Sequence, residues 1–252
     1  MPIKETHTFH VQAVVLRHLE YGEADRILTL FTLEQGKLQA IAKGVRKIHS
    51  RKAGHLEPFT QVNLFMAKGR NLAVVTQAEA MRTFPGIRAD LKLTAYAAYV
   101  AELVDRFTYE ESESRQLYNL LVDTLIRLEE GSQPTTVVHY YEVQLLDILG
   151  FRPELTKCAA CHKEIQAVDQ YFSPKLGGVL CPQCGGQDQA AWHISMPALK
   201  YLRFFQRSPY SKVKGHIIPP SVDAEIRLLM EHYLTYLLEH GLKTPKFIQA
   251  VS

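Results

Sequence analysis

Residues 158–184 read CAACHKEIQAVDQYFSPKLGGVLCPQC and contain all four cysteines of the chain. They form two C-x-x-C pairs, Cys158 with Cys161 and Cys181 with Cys184, separated by nineteen residues. Each pair can turn around one side of a tetrahedral ion, and a hairpin between the pairs would bring the four sulfurs together. Residues 175–180, which include a Gly-Gly pair, predict that hairpin. The spacing therefore predicts a metal-binding ribbon at about residues 153–192.

Four thiolates at tetrahedral spacing suit one Zn2+ ion, with iron as the alternative metal. Four protein ligands leave no position for a reacting water, so the predicted ion is structural. Two disulfides would use the same cysteines, but the first residues lack a secretory signal pattern, so we expect an intracellular chain, where disulfides are disfavoured. A redox C-x-x-C site is another alternative, but it needs only one pair, whereas this chain has two matched pairs. His162, next to Cys161, could replace one sulfur as a metal ligand.

On the N-terminal side, residues 1–80 predict a small β-barrel. Five short runs rich in β-branched and aromatic residues alternate with glycine-containing breaks, at residues 9–16, 27–33, 37–43, 61–68 and 72–78. The breaks leave no room for crossover helices. We therefore expect a five-stranded closed barrel of the OB-fold type, with an SH3-like barrel as the alternative.

From about residue 87 the apolar period becomes helical, and the second domain is predicted over residues 81–252. Leu117, Leu121, Leu125 and Leu128 recur on one helix face. Pro134 and Ser195 are predicted helix starts on either side of the ribbon. The fold class is therefore α+β: an OB-fold barrel, then an α-helical domain with an inserted four-cysteine zinc ribbon.

The charge pattern indicates a phosphate-binding surface on the barrel. No acidic residue lies between Glu34 and Glu57, a stretch that also contains His49 and His55. Dense like charges repel one another unless an anion binds. The predicted DNA contacts are the cations of this stretch and of the turn at residues 68–70. They are Lys37, Lys43, Arg46, Lys47, Arg51, Lys52, Lys68 and Arg70. The alternative is a solvated loop with no partner.

Two phenylalanines are candidates for stacking on DNA bases. In residues 61–68, Val62, Leu64 and Met66 alternate with more polar positions, and Phe65 shares the polar face. Phe31 shares a face with Thr29 and is the second candidate. Either side chain could instead be part of the core.

Composition and missing motifs exclude several classes of protein. The 252 residues are 46% hydrophobic and 22% charged, with a net charge of +3, which is typical of a globular chain rather than a disordered one. No apolar run approaches the length needed to span a bilayer, and the first residues lack a secretory signal pattern. Phosphate-loop, dinucleotide, zinc-protease and serine-hydrolase motifs are missing, so we expect no enzyme.

Two segments resemble the N-terminal signature of the bacterial recombination mediator family RecO. Residues 21–32 read YGEADRILTLFT, and residues 36–47 read GKLQAIAKGVRK. The sequence GFRP at residues 150–153 and the sequence FSP at residues 172–174 are similar to the ribbon of that family. The order of the parts also matches, so the resemblance covers essentially the whole chain.

This resemblance implies binding to single- and double-stranded DNA and annealing of complementary strands, including strands coated by single-strand binding protein (SSB). It implies contact with the C-terminal tail of SSB, cooperation with RecR and in some lineages RecF, loading of RecA, and a cytoplasmic, nucleoid-associated location. The implied zinc ligands are Cys158, Cys161, Cys181 and Cys184. The alternative function is a zinc-ribbon nucleic-acid-binding regulator without annealing activity.

Overall fold

The computed structural model describes residues 8–109, 113–239 and 241–251. These residues form two compact units. The first unit extends to Glu129 and includes residues 250 and 251, and the second unit comprises residues 130–249. The barrel strands and the first three helices both belong to the first unit.

In the described part of the first unit, five strands form a closed barrel. The strands are β1 (Thr8–Tyr21), β2 (Asp25–Thr32), β3 (Gly36–Ala42), β4 (Gln61–Ala67) and β5 (Ala73–Arg82). Their order is β1-β2-β3-β5-β4, with β4 pairing back to β1. Neighbours are antiparallel except β3 and β5, which run parallel. This five-stranded barrel confirms the OB-fold prediction.

The barrel closes because β1 is long enough to pair on both of its edges. Its first half pairs with β4 and its second half with β2, and the register shifts between Val15 and Arg17. Such a bulge bends a strand, which lets one strand follow a closed barrel. Alternate side chains of every strand then fill a common apolar core, which includes Val11, Leu28, Ala40, Leu64 and Val75.

Three helices complete the first unit: α1 (Pro85–Ala89), α2 (Leu91–Phe107) and α3 (Arg115–Glu129). Asp90 caps α2 by accepting hydrogen bonds from the N–H groups of Lys92 and Leu93. The Glu129 carboxylate accepts from the N–H groups of Gly86 and Ile87 and so caps α1. Each cap satisfies donors that a helix N-terminus would otherwise leave unpaired.

The second unit combines helices with a small three-stranded sheet. The helices are α4 (Pro134–Ile148), α5 (Pro182–Gly185), α6 (Met196–Arg207), α7 (Tyr210–Val213), α8 (Pro220–Leu238) and α9 (Thr244–Val251), which ends in residues of the first unit. As predicted, Pro134 starts α4, and the Ser195 side chain caps α6 by accepting from the Ala198 N–H. The sheet has the order β7-β6-β8, formed by β6 (Gln170–Ser173), β7 (Gly178–Leu180) and β8 (Trp192–Ile194). No helix within the described ranges is long and apolar enough to cross a membrane.

A buried charged group links two helices of the second unit. His139 on α4 is almost fully buried, with Nδ1 2.9 Å from Glu142 Oε2 and Nε2 3.3 Å from Asp223 Oδ1 on α8. Burial alone lowers the pKa of His139, but the two carboxylates outweigh it and raise that pKa to about 9. The imidazolium and the carboxylates therefore form an ion network in this part of the core.

Candidate metal centre and nucleic-acid interface

The four cysteine sulfurs converge on one point of the ribbon. All four Sγ atoms lie within 4.8 Å of one another, and Cys161 Sγ is 3.9 Å from Cys181 Sγ. A tetrahedron with Zn–S bonds of about 2.3 Å has edges of about 3.8 Å. The four-sulfur donor set therefore fits a tetrahedral Zn2+ ion and leaves no ligand position open.

Backbone conformation and close packing form this cluster. His162 has a left-handed φ of 60°, and its N–H donates to the Cys158 carbonyl at 2.8 Å, which closes the turn of the first pair. The second pair lies at the start of the one-turn helix α5. There, a Cβ on Gly185 would lie 2.3 Å from the Tyr171 ring, so only glycine fits. The hairpin of β6 and β7 then brings the two pairs together, as the spacing predicted.

Electrostatics in the thiol cluster favour a bound cation. Burial raises the pKa of Cys158, but N–H groups that donate to its sulfur outweigh this effect and lower that pKa to about 6. The hydrogen bond with Cys181 contributes most to a pKa of about 12 for Cys184. Four neighbouring thiols cannot all ionise without strong repulsion between the thiolates, whereas a bound divalent ion stabilises all four thiolates.

A surface groove lies on the face of β2 and β3 beside the β4–β5 loop, where OB-folds commonly bind oligonucleotides. The groove has a volume of about 350 Å³. Cross-strand partners Ile27, Ile41 and Val74 contribute apolar walls from β2, β3 and β5. Lys43 and Arg70 line the same groove, so an apolar surface and two cations face one cleft.

Five of the eight predicted DNA contacts are free to meet a ligand. Their side chains are exposed and make no ion pair or side-chain hydrogen bond with any residue that the structure describes. They are Lys43, Lys47, Arg51, Lys68 and Arg70. All five lie on the loop after β3 or on the loop between β4 and β5.

The other three predicted contacts have protein partners. Lys37 Nζ lies 2.6 Å from the Asp105 carbonyl oxygen and 3.4 Å from its Oδ1, so Lys37 is removed from the candidate DNA contacts. Lys52 Nζ donates to the Val75 carbonyl at 3.0 Å, and burial lowers its pKa. Arg46 is exposed but forms a 3.0 Å ion pair with Glu20. These acceptors lie far away in the sequence and could not be inferred from the charge run.

The structure separates the two aromatic candidates. Phe65 is 50% exposed and packs edge-on against His10, with ring centroids 5.0 Å apart. Phe31 is fully buried and stacks on Tyr118 of α3, so it has no face available for a base. Tyr21, which is 54% exposed and lines the groove, was missed by sequence reasoning. The predicted strand ended at residue 16, whereas the observed β1 continues to Tyr21, so no predicted strand included this residue.

The chain is therefore a protein of two units, in which an OB-fold barrel is followed by a helical unit that carries a four-cysteine ribbon. The family description "Recombination protein O N terminal" matches residues 6–84, and "Recombination protein O C terminal" matches residues 88–246. The two matches correspond to the barrel with its adjoining residues and to the helical region with the ribbon.

Relatives are similar over nearly the full length. A DNA repair protein RecO of Roseiflexus sp. (strain RS-1) is 40% identical over 96% of this chain and 86% of its own length. A protein of the same name from Dehalococcoides mccartyi (strain ATCC BAA-2100 / JCM 16839 / KCTC 5957 / BAV1) is 38% identical over 95% of this chain and 93% of its own length. Another from Bacillus pumilus (strain SAFR-032) is 34% identical over 94% of this chain and 92% of its own length. The chain belongs to the RecO family of DNA repair proteins.

Proposed function

We propose that this protein is a recombination mediator that binds DNA and performs no covalent chemistry. It anneals complementary single strands, including strands coated by SSB, and helps RecA replace SSB on single-stranded DNA. RecR, and in some settings RecF, would act with it. The observation that carries the proposal is the groove on the β2–β3 face of the barrel, where two unpaired cations flank an apolar surface.

Binding would depend on the phosphates. Lys43, Lys47, Arg51, Lys68 and Arg70 would replace counterions along one strand, while Tyr21 and Phe65 offer aromatic faces to bases. Because phosphate contacts and stacking tolerate any sequence, we expect little base preference. Cations that neutralise two strands would also lower their mutual repulsion, and so would favour annealing.

The zinc ion is proposed as a structural element. One Zn2+ held by Cys158, Cys161, Cys181 and Cys184 would tie together the two turns of a ribbon with few apolar residues of its own. When bound, the ion supplies no reactive site, because all four ligand positions are protein sulfurs.

We place DNA binding on the OB-fold domain, residues 1–80, and the zinc-binding ribbon within the helical domain, residues 81–252.

The remaining proposals concern partners and location, and they rest on membership of the family. We infer binding to single- and double-stranded DNA, contact with the C-terminal tail of SSB, and a place in the cytoplasm near the nucleoid. The family names of the relatives, which are DNA repair proteins, support these inferences.

The test measures how fast complementary oligonucleotides coated with SSB anneal, with fluorescence energy transfer between the two strands as the readout. The full-length protein should accelerate annealing when SSB carries its C-terminal tail and much less when the tail is removed. The Lys43→Ala, Lys47→Ala, Arg70→Ala triple variant should lose most of the acceleration. A wild-type protein that binds DNA without accelerating annealing would instead favour the zinc-ribbon regulator.

A further inference from the structure

The loop that follows β3 combines a cationic surface with one apolar tip. We define the basic loop as residues 43–52. Ile48 at its tip is 97% exposed, the highest value among the large hydrophobic side chains of the described residues. Its exposed neighbours on either side are Arg46, Lys47, His49 and Arg51. Water-exposed isoleucine is unfavourable, so a ligand that covers this tip would gain by burying it.

Hydrogen bonds hold the basic loop in one shape, so Ile48 cannot simply fold back onto the core. Lys47 N–H donates to the Gly44 carbonyl and Ser50 N–H donates to the Lys47 carbonyl, which forms successive turns around the tip. Val45 is buried in the barrel core before the tip. After it, Lys52 Nζ is fixed on the Val75 carbonyl. Because the tip is anchored on both sides, the loop loses little further conformational entropy when a ligand binds.

The basic loop also continues directly from the groove. Lys43 lines the groove and starts the loop. Gly44 N–H donates to Asp25 Oδ1 at 2.7 Å, and Arg46 N–H donates to the Ala24 carbonyl at 2.9 Å, so the loop packs on the turn between β1 and β2. Tyr21, just before that turn, lines the groove as well. A strand that lies in the groove would therefore meet the basic loop at one end.

We propose that Ile48 is a wedge that reads the junction between single-stranded and double-stranded DNA. This inference rests on the proposed function and deepens it. The groove would hold the single strand, the cations of the basic loop would contact phosphates on both sides of the junction, and the Ile48 side chain would insert against the terminal base pair. Nucleic-acid-binding proteins commonly use single apolar side chains in this way, because insertion between bases buries the side chain and unstacks one step.

A cationic loop with an apolar tip could also insert into an anionic membrane. Two features favour DNA. The basic loop carries only one large exposed apolar side chain, whereas stable membrane insertion needs more buried apolar surface. The loop is also continuous with a groove on the oligonucleotide-binding face of an OB-fold.

The test compares full-length wild-type and variant proteins on two DNA probes of equal length. One probe is a plain single strand. The other has a duplex–single-strand junction with 2-aminopurine in the terminal base pair, which becomes brighter when it is unstacked. Wild type should prefer the junction and raise the 2-aminopurine signal. Ile48→Ala should lower the junction preference by about tenfold and abolish the signal, and Ile48→Leu should retain both.

Ile217→Ala is the matched control, because Ile217 is also strongly exposed (75%) but lies in the second unit. It should behave as wild type. If Ile48→Ala matches wild type on both probes, the wedge is overturned while DNA binding stands. If wild type binds neither probe, the proposed function itself fails. Ile48-dependent binding to phosphatidylglycerol vesicles without a junction effect would overturn the wedge in favour of a membrane contact.

Discussion

Lys37 Nζ lies 2.6 Å from the carbonyl oxygen of Asp105, a residue 68 positions further along the chain. The Asp105 carboxylate also accepts from Arg17 Nε at 2.8 Å. Two barrel cations thus attach α2 to the barrel instead of facing a ligand. Lys37 and Lys43 therefore differ: Lys37 is bonded to Asp105, whereas Lys43 is exposed to solvent and is a candidate for DNA contact.

Lys37→Met should therefore weaken the fold and leave DNA binding nearly unchanged. The Lys37 side chain is only 17% exposed, and loss of a charged hydrogen bond of this kind costs about 1.5–3 kcal/mol of unfolding free energy. Chemical denaturation measures the loss, and the salt dependence of single-strand binding measures the contact. A clearly reduced salt slope, with unchanged stability, would restore Lys37 to the DNA interface.

Gly185→Ala should damage the metal centre, because the added Cβ would lie 2.3 Å from the Tyr171 ring. Either the ring or the α5 turn must shift, and the two cysteines at that turn would move with it. We expect less bound zinc per chain and a lower melting temperature. Gly54→Ala is the control, since a Cβ at Gly54 meets nothing within 4 Å. Equal zinc content in both variants would show that the close packing does not shape the site.

Removal of the metal should destabilise the ribbon without abolishing DNA binding by the barrel. We expect one zinc per chain by elemental analysis, and a lower melting temperature after strong chelation or in Cys158→Ser. The salt slope of single-strand binding should change little in these proteins. A protein that melts at the same temperature with and without metal would contradict a structural ion, and bound iron would identify the other metal.

The pH dependence of stability should report the buried His139. Its folded-state pKa of about 9 lies above the ordinary value of 6.5. His139 therefore contributes its full stabilisation below pH 6.5, and the contribution falls as the pH rises through about 9. The loss of unfolding free energy is on the order of 3 kcal/mol. Urea denaturation at several pH values measures it.

His139→Gln is the comparison for this pH effect. It should be less stable than wild type at pH 6.5, because Glu142 and Asp223 lose their cationic partner, and its stability should change less between pH 6.5 and 9. An NMR titration of the wild-type imidazole provides an independent measurement. An imidazole that titrates near its ordinary pKa would rule out the charged network.

Local sequence patterns were sufficient to predict the barrel strands and the clustering of the four cysteines. The β-branched runs, the Gly-Gly hairpin and the C-x-x-C pairs act over a few residues, so the barrel strands and the sulfur cluster could be predicted. The Ser195 cap was predictable for the same reason.

Contacts between distant residues were not predictable from one sequence. Phe31 shares a strand face with the polar Thr29, which suggested an exposed side chain, yet Tyr118 of α3 packs against it. Lys37 belongs to the same charge run as Lys43, yet only Lys37 meets Asp105. Burial and pairing of this kind depend on how the helices pack on the barrel, which no short-range pattern reveals.

If the cations of the barrel groove bind the DNA backbone, the affinity for single strands should fall steeply with salt concentration. Each lost phosphate contact should reduce the slope of log K against log salt by about 0.7, so the Lys43→Ala, Arg70→Ala double variant should lose about 1.4. Replacing the exposed Lys200 and Lys212 of the second unit by alanine serves as the control. A double variant with the wild-type slope and affinity would show that Lys43 and Arg70 do not contact the DNA backbone.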